Sequence, residues 1–314
     1  MWAWLACAAT DPVLAESNYP NRPVKIIVPA PPGGAADVLP RVVAEKLAAR
    51  WHQPVIVENR PGAALNVGAE AVARAEPDGY TLLATPPGPL AIYQFIYANL
   101  RYEPSAFTPV TILASSPFVL TVGPSVDAPD LSRFLASAKA NPGKFTFGST
   151  GVGSPPHLSG EMLKVRAGVD LLHIPYKGMV PALTDLLGGR LDMVFVDLGS
   201  TLQHVRAGTV RVLGVGSDGP IPELAGVPAI AERLPEFTAT TWFAMVAPPK
   251  TPANIAAEAS RAIAEALALP EVAQRFRDFH ATPVGGSPAQ TAAFLAAEAK
   301  RWREVVVAAG IKPQ

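Results

Sequence analysis

The amino-acid sequence predicts an α/β protein with two lobes around a cleft, and three observations support this fold class. Short apolar runs alternate with stretches of helical periodicity, which indicates parallel strands joined by right-handed crossovers. The chain has 314 residues, whereas a single hydrophobic core seldom grows beyond roughly 250 residues. Two extended apolar segments, 117–122 and 241–247, flank the second α/β unit and are the expected crossing strands between lobes.

The first unit begins with a buried strand at 24–28, which the Pro- and Gly-rich segment 29–34 stops. A helix is expected at 37–50, where apolar residues recur with a period near 3.6. The remaining elements of this unit are a strand at 54–57, a helix at 66–75 and a strand at 80–84.

The second unit repeats this alternation with different residues. Its expected elements are a helix at 131–140, a strand at 145–147, a helix at 154–166, a strand at 171–174, a helix at 180–187 and strands at 193–196 and 210–215. Helix starts are also expected at Thr251-Pro252 and at Ser287-Pro288-Ala289-Gln290, the latter as a capping box. These elements assign 19–118 with 243–314 to the first lobe and 119–242 to the second lobe.

Composition excludes several classes of protein. The 26 basic and 26 acidic side chains give no net charge, and no basic cluster is present, which argues against a nucleic-acid partner. A chain with 49% hydrophobic residues is expected to fold rather than remain disordered. The 34 prolines are about double the roughly 16 expected from average usage, so the location of these prolines is informative.

Residues 1–18 are expected to be the remnant of a signal peptide. An apolar stretch from Met1 is followed by small residues and then by the polar pair Glu16-Ser17. No basic residue precedes Arg22, so the signal is interpreted as truncated. This predicts a soluble protein in the periplasm. The single cysteine, Cys7, has no partner for an internal disulfide, and whether it is lipidated is left open.

Common catalytic motifs are missing from the sequence. It has no Gly-x-Ser-x-Gly elbow, no phosphate-binding loop, no His-Glu-x-x-His and no cysteine pair. The segment 214–219 matches Gly-x-Gly-x-x-Gly, but Pro220 and Pro222 follow where a helix would have to start. The five histidines are not spaced as metal ligands. We therefore expect no enzyme activity, no cofactor and no metal.

Gly- and Pro-rich loops that follow strands and open helices are the recurring feature. A helix start offers unpaired backbone N–H groups and a positive dipole end, so it can hold a carboxylate without Lys or Arg. The main loops are 29–37 and 148–157, and the lesser ones are 60–66 and 85–88. A single loop of this kind would be interpreted as an ordinary turn between a strand and a helix. Four loops from both units favour an anion-binding cleft.

Several motifs, in order along the chain from about Tyr19 to Pro313, resemble one family. They are Tyr19–Val28, Pro31–Gly34 with Asp37, Gln53–Gly62, Asn66–Glu70, Pro77–Leu83, His173–Gly178, Pro181–Gly189 and Pro283–Gly286. The family is that of the Bug proteins, the extracytoplasmic solute receptors of tripartite tricarboxylate transporters.

The resemblance implies a two-lobed periplasmic binding protein (type II-like), with a βα sheet sandwich in each lobe and two crossing hinge strands. Such a receptor is expected to act as a monomer, to close on a small organic carboxylate and to present it to the membrane permease subunits. The ligand-binding residues that the resemblance implies are Gly33, Gly34, Asp37, Ser149, Thr150, Gly153 and Ser154, with Asn66, Thr85, His157, Tyr176 and Asp197 as neighbours.

Alternative roles stay open for three of these residues. His157 and Tyr176 could instead pack a helix against a loop, and Asp197 could be an internal helix cap. The sequence also departs from the family pattern, since Pro86 and Pro87 replace small polar residues and Ala64-Leu65 interrupt a Gly-rich stretch. These changes suggest a ligand less polar than citrate or malate. A ligand-binding sensor subunit is the nearest alternative function, and an unrecognised enzyme is a more distant one.

Overall fold

The computed structural model describes residues 19–217 and 219–313. The signal-peptide expectation for 1–18 and the open question about Cys7 lie outside the described residues. The strands are β1 (Val24–Val28), β2 (Val55–Asn59), β3 (Thr81–Thr85), β4 (Thr108–Val122), β5 (Thr146–Ser149), β6 (Leu172–Pro175), β7 (Met193–Asp197), β8 (Arg211–Val215), β9 (Thr240–Ala247) and β10 (Thr282–Gly285).

The α-helices occupy most of the segments between the strands. They are α1 (Ala35–Trp51), α2 (Asn66–Ala73), α3 (Leu131–Ala140), α4 (Pro155–Ala167), α5 (Met179–Leu187), α6 (Leu198–Arg206), α7 (Ala253–Leu267), α8 (Pro270–Arg277) and α9 (Pro288–Ala308). Strand β1 and helix α3 have the predicted bounds, and most other predicted elements differ by one or two residues. The sequence did not predict α6 or the first half of β4, and the remainder after 247, which was expected to be helical, contains α8 as a separate helix and the strand β10.

The strands form one curled sheet in the order β2-β1-β3-β9-β4-β7-β5-β6, and both β8 and β10 also pair with β4. The predicted parallel pairing holds inside each unit, where β1 pairs with β2 and β3, and β5 pairs with β6 and β7. The strands that cross between units, β4 and β9, are antiparallel to their neighbours. The sheet is therefore mixed.

Strand β4 connects the two halves of the sheet. Its residues 108–117 pair with β9, and its residues 118–122 pair with β7. It contains Pro109 and Pro117, which have no N–H to donate. Pro109 lies where the register with β9 shifts, and Pro117 lies at the end of that pairing, which are positions where a strand tolerates proline. The two prolines explain why the sequence predicted only 117–122.

The hydrophobic core lies on both faces of the sheet. Leu39 and Leu47 of α1 pack with Ile263 of α7 and Phe276 of α8 on one face of the first lobe. A second cluster extends through both lobes and includes Phe147 and Trp302 of α9, both fully buried. Helix α9 therefore packs across the junction between the lobes.

Local sequence signals explain how several elements begin. Ser287 and Gln290 form the predicted capping box at the start of α9. Helix α7 begins one residue later than expected, with Pro252 at the cap position, and the Thr251 hydroxyl donates to the Pro248 carbonyl instead. No helix of the described residues is both long enough and apolar enough to cross a membrane.

The Gly-x-Gly-x-x-Gly match at 214–219 does not open an α-helix, because the next helical turn is the short 3-10 segment Pro222–Leu224. Gly216 has a packing role. A Cβ there would lie 2.2 Å from the Ala239 carbonyl oxygen, so the chain can approach the start of β9 only with glycine.

Candidate functional site

The carboxyl ends of strands from the two lobes face each other. Thr85 at the end of β3 pairs with Ala244 of β9, which pairs with Ile112 of β4. Asp197 at the end of β7 pairs with Phe118, which is six residues further along β4 than Ile112. Strand β3 runs in the same direction as β4 and β7 runs in the opposite direction, so the two strand ends point towards each other. Six residues of strand span roughly 20 Å. The loops that follow β1, β3, β5 and β7 therefore border one cleft between the lobes.

The first loop, between β1 and α1, presents an uncapped helix start to the cleft. Gly34 is the cap residue of α1 and no side chain caps this helix, so the first amides remain available to an anion. Gly33 has φ of +101°, which favours glycine. Apart from the immediate chain neighbours, no residue has an atom within 4 Å of a Cβ built at Gly33 or Gly34, so the space in front of the loop is open.

Asp37 organises this first loop from behind. Its carboxylate accepts hydrogen bonds from the Gly33 N–H (3.0 Å), the Arg41 Nε (2.9 Å) and the Asn59 Nδ2 (2.8 Å). Burial raises the pKa of Asp37, but the hydrogen bonds from Arg41, Asn59 and Gly33 outweigh it, and the net pKa is below the usual value. Both carboxylate oxygens have protein partners, so Asp37 positions the first loop, and ligand contact by Asp37 stays a prediction.

The second loop, between β5 and α4, is built around two serines. Ser154 is the predicted cap of α4, where its Oγ accepts from the His157 N–H (3.4 Å) and donates to the Gly151 carbonyl (2.7 Å). Ser149 is fully buried, and its Oγ lies 3.1 Å from the Gly151 nitrogen and 2.7 Å from the His173 Nε2. Thr150 is exposed between the two serines.

Two histidines support the second loop. His157 Nδ1 accepts from the Gly153 N–H (3.0 Å), so its proton is on Nε2, 3.7 Å from Glu161. Its ring lies 3.9 Å from that of His173. Burial lowers the pKa of His157 to about 3, with contributions from His173 and Lys164, and burial and Lys164 lower the pKa of His173 to about 4. Both imidazoles are therefore neutral near pH 7.

His173 was not among the predicted site residues. Its hydrogen bond to Ser149 crosses from β6 to β5, which are neighbours in the sheet. The signal that could have found it is the position of the motif His173–Gly178 directly on a strand that borders the second loop.

Two predicted residues of the second lobe take the alternative roles that the sequence analysis left open. The Tyr176 hydroxyl donates to Asp185 (2.9 Å), which is a packing interaction with α5. The Asp197 carboxylate caps α6 by accepting from the Ser200 N–H (2.9 Å) and the Ser200 hydroxyl (2.8 Å). Ligand contact by Tyr176 and Asp197 remains a prediction.

Two predicted residues of the first lobe lie at the same edge as the first loop. Thr85 is buried at the end of β3 and its Oγ1 donates to the Pro86 carbonyl (3.3 Å). Asn66 is the first residue of α2 and accepts from the Tyr102 hydroxyl (2.7 Å). Both side chains have protein partners already.

The loop that precedes α2 has an unusual backbone. Ala63, Ala64 and Leu65 have φ of 46°, 51° and 75°, so three successive residues with a Cβ are left-handed. Each such residue costs roughly 1–2 kcal/mol. Ala64 and Leu65 are the two residues that the sequence analysis noted as a departure from a Gly-rich stretch, and glycine adopts this backbone at lower cost. The loop also borders a cavity of about 610 Å³ that reaches Asn66 and Arg101.

The two lobes touch beside the second loop. Ile96 follows β3 by about ten residues, and a Cβ built on Gly153 would lie 2.8 Å from the Ile96 Cγ2. This contact brings the segment after β3 against the loop after β5. Within the described part of the chain, no group of three or more His, Cys, Asp or Glu residues could hold a metal ion.

The fold and the facing loops define a two-lobed solute receptor, and comparison with known proteins gives its family. The model of the tripartite tricarboxylate transporter family receptor, TctC, matches residues 39–311, and the chain belongs to this family. This membership confirms the resemblance found in the sequence. It identifies a solute-binding receptor rather than an enzyme.

Individual relatives agree with this assignment. The chain is 38% identical over 312 residues to protein BugT of Bordetella pertussis, covering 98% of this chain and 96% of BugT. It is similar to the structure of R. palustris Rpa4515 with adipate, with a TM-score of 0.81, 33% identity and coverage of 94% and 100% of the two chains. The periplasmic binding protein BugD matches with a TM-score of 0.77, 31% identity and the same coverage.

Proposed function

We propose that this protein is exported to the periplasm, captures one small organic carboxylate between its lobes as a monomer, and delivers it to the permease of a tripartite tricarboxylate transporter. The observation that carries the proposal is the facing pair of helix starts. Helix α1 has no side-chain cap, and α4 begins beside Ser149, Thr150, Gly153 and Ser154. The unpaired amides at the start of α1 can hold a carboxylate without a basic side chain, and the exposed Thr150 offers a hydroxyl from the second lobe.

The lobes proposed for this closure are 19–118 with 243–314, and 119–242. Support comes from β4, whose pairing changes from β9 to β7 near residue 118. Hinge bending at β4 and β9 would move one lobe against the other, as in other two-lobed receptors. Helix α9 packs across the junction and would have to accommodate this motion.

The ligand proposed for the cleft is less polar than citrate or malate. The turn after β3 carries Pro86 and Pro87, and Ile96 is buried beside the second loop. These residues add apolar surface where a highly hydroxylated acid would need hydrogen-bond donors. The structure of a relative with adipate, an acid with an unsubstituted aliphatic chain, supports a ligand less polar than citrate or malate.

A thermal-shift panel tests the proposed ligand class. The proteins would be mixed separately with adipate, succinate, benzoate, malate and citrate at matched pH and ionic strength. The proposal expects adipate or benzoate to raise the melting temperature more than malate or citrate, because bound ligand stabilises the folded state by mass action. Strong stabilisation by citrate and malate alone would contradict it.

A further inference from the structure

Tyr93 lies in the segment after β3, close to where the two lobes meet. A π-helical turn spans Gly88–Ile92 and a 3-10 turn spans Tyr93–Phe95. π-helical turns are rare and are frequent at functional sites. One turn after Tyr93, Ile96 contacts Gly153 in the loop of the second lobe.

The ring of Tyr93 lies over Gly88. A Cβ built on Gly88 would be 2.3 Å from the Tyr93 Cζ and 2.5 Å from the Tyr93 hydroxyl oxygen, so only glycine leaves room for this ring. The Tyr97 ring packs edge-on against it at 5.2 Å. The Tyr93 hydroxyl therefore reaches back to the turn after β3, which contains Pro86 and Pro87 and borders the cleft.

No described residue forms a hydrogen bond with the Tyr93 hydroxyl. The residue is only 8% exposed, yet its hydroxyl oxygen is not among the fully enclosed polar atoms without a partner, so the oxygen retains some accessible surface. Three other tyrosines differ, whereas the half-buried Tyr97 also has no described hydrogen-bond partner. The hydroxyls of Tyr19, Tyr102 and Tyr176 each donate to a protein oxygen at 2.7–2.9 Å.

The Tyr93 hydroxyl is expected to act as a hydrogen-bond donor. Burial, with a smaller effect from Tyr97, raises the pKa of Tyr93 well above its usual value, so the hydroxyl keeps its proton. A largely buried hydroxyl without a partner is unfavourable. An oxygen of a bound acid would supply the missing acceptor.

We propose that Tyr93 is a ligand-contacting residue of the first lobe. Its hydroxyl donates to an oxygen of the acid in the cleft, and Pro86 and Pro87 contact the acid's carbon skeleton. The proposed ligand is therefore an aliphatic or aromatic carboxylic acid with an acceptor oxygen that reaches the Tyr93 hydroxyl. This inference rests on the proposed function, since it requires a bound acid.

The test compares Tyr93→Phe with wild type by titration calorimetry, using the acid among adipate, succinate, benzoate, malate and citrate that binds wild type most tightly. Tyr93→Phe keeps the ring over Gly88 and removes only the hydroxyl. A hydrogen bond to a charged acceptor corresponds to an affinity loss of about 10- to 100-fold. The ligand-free melting temperature should not change, because the hydroxyl has no partner within the described protein.

Tyr80→Phe is the matched control. Tyr80 precedes β3 at the opposite edge of the sheet, and its hydroxyl bonds to Asn21. The variant Tyr80→Phe should leave the affinity for the acid unchanged. Equal affinity of wild type and Tyr93→Phe overturns the inference and leaves the proposed function intact. A lower ligand-free melting temperature for Tyr93→Phe also overturns it, since the hydroxyl would then have a structural role. Failure of wild type to bind any of the five acids overturns the proposed function together with the inference.

Discussion

In each of the loops that open α1 and α4, a glycine N–H donates to the side chain four residues later, but the two accepting side chains differ in chemistry. The first loop is fixed by a charged group, since Asp37 accepts from the Gly33 N–H and from Arg41. The second loop is fixed by neutral groups, since His157 accepts from the Gly153 N–H and His173 bonds to Ser149. The first loop leaves the α1 amides available to an anion, whereas α4 begins with two prolines and its first N–H, that of His157, is capped by Ser154.

This difference shows how a receptor can separate ligand capture from loop support. A positive side chain near the ligand would bind anions of many kinds, whereas backbone amides select by position. The supporting groups then need only to hold the amides still. A carboxylate in the first lobe and neutral imidazoles in the second lobe respond to different ranges of pH, so the two supports can be perturbed separately.

The largest expected effect comes from blocking the first loop. Gly34→Val adds a side chain in front of the α1 amides, where no atom now lies within 4 Å. Loss of two charge-assisted hydrogen bonds of roughly 1.5–3 kcal/mol each corresponds to at least about a 100-fold loss of affinity. Gly34 has φ of −84°, so valine fits the backbone, and the stability cost should be only about 1 kcal/mol. Calorimetry and thermal melting measure the two effects.

Ala253→Val is the control for this change. Ala253 is exposed at the start of α7, which also has no side-chain cap and lies at the far edge of the sheet from the cleft. The variant Ala253→Val should bind the ligand with the affinity of wild type. Wild-type affinity in Gly34→Val would remove the first loop from the site.

A smaller effect is expected from removing the charge that supports the first loop. Asp37→Asn keeps one side-chain oxygen but loses the charge-assisted bonds from Arg41 and the Gly33 N–H. We expect the free energy of unfolding to fall by about 1.5–3 kcal/mol, measured by urea denaturation. Asp78→Asn removes the exposed ion pair with Arg22 but keeps an oxygen for the Tyr80 N–H, so it should cost less than about 1 kcal/mol. Equal losses in the two variants would refute a special role for Asp37.

The pH dependence of stability distinguishes the two supports. The pKa values of His157 and His173 are lower in the folded protein, about 3 and about 4, than in the unfolded chain. The unfolded state then binds more protons, so their stabilisation is complete above pH 6.5 and is lost as the pH falls towards 4. Asp37 has a lowered pKa, so its stabilisation is lost only below its ordinary range.

His157→Gln should therefore reduce the loss of melting temperature between pH 6.5 and 4.5, because glutamine retains an acceptor but does not titrate there. Asp37→Asn should leave the slope in that range unchanged. An unaltered slope in His157→Gln would show that other groups cause the loss.

The smallest effect is expected at the cap of α6. Asn is as good a helix cap as Asp, so Asp197→Asn should change the free energy of unfolding by less than about 0.5 kcal/mol. Affinity for the tightest acid should also remain within about threefold of wild type, because Asp197 is bonded to Ser200. A tenfold change in calorimetry would return Asp197 to the ligand contacts.

Local sequence signals predicted much of the fold. The Ser154 cap, the Ser287 capping box and the bounds of α3 all depend on residues close in sequence, and the structure has them. Helix α6 was missed because β7 passes into it at Asp197 without a turn residue. Strand β10 contains Pro283 and forms only through its pairing with β4, a tertiary contact that the local sequence does not encode.

The site could be predicted at the level of loops but not of individual contacts. Strand-loop-helix patterns and the family motifs located the first and second loops. They did not show how Asp37 is held, because one of its partners is Asn59 of β2, whereas the cap role of Asp197 depends on Ser200 three residues away and was offered as an alternative. The bond between His173 and Ser149 likewise depends on the order of strands in the sheet. The doubled proline content is partly explained by turns bordering the cleft, such as Pro86-Pro87 and Pro155-Pro156.

The central claim is that one small carboxylate binds between the lobes, and native mass spectrometry of the freshly purified protein tests it most directly. The protein would be measured as isolated and after addition of each acid in the panel. We predict a monomer carrying a single small acid, with the bound mass lost from Gly34→Val and retained by Ala253→Val. A protein that carries no acid under any of these conditions, or that converts the acid to a product, would contradict the claim.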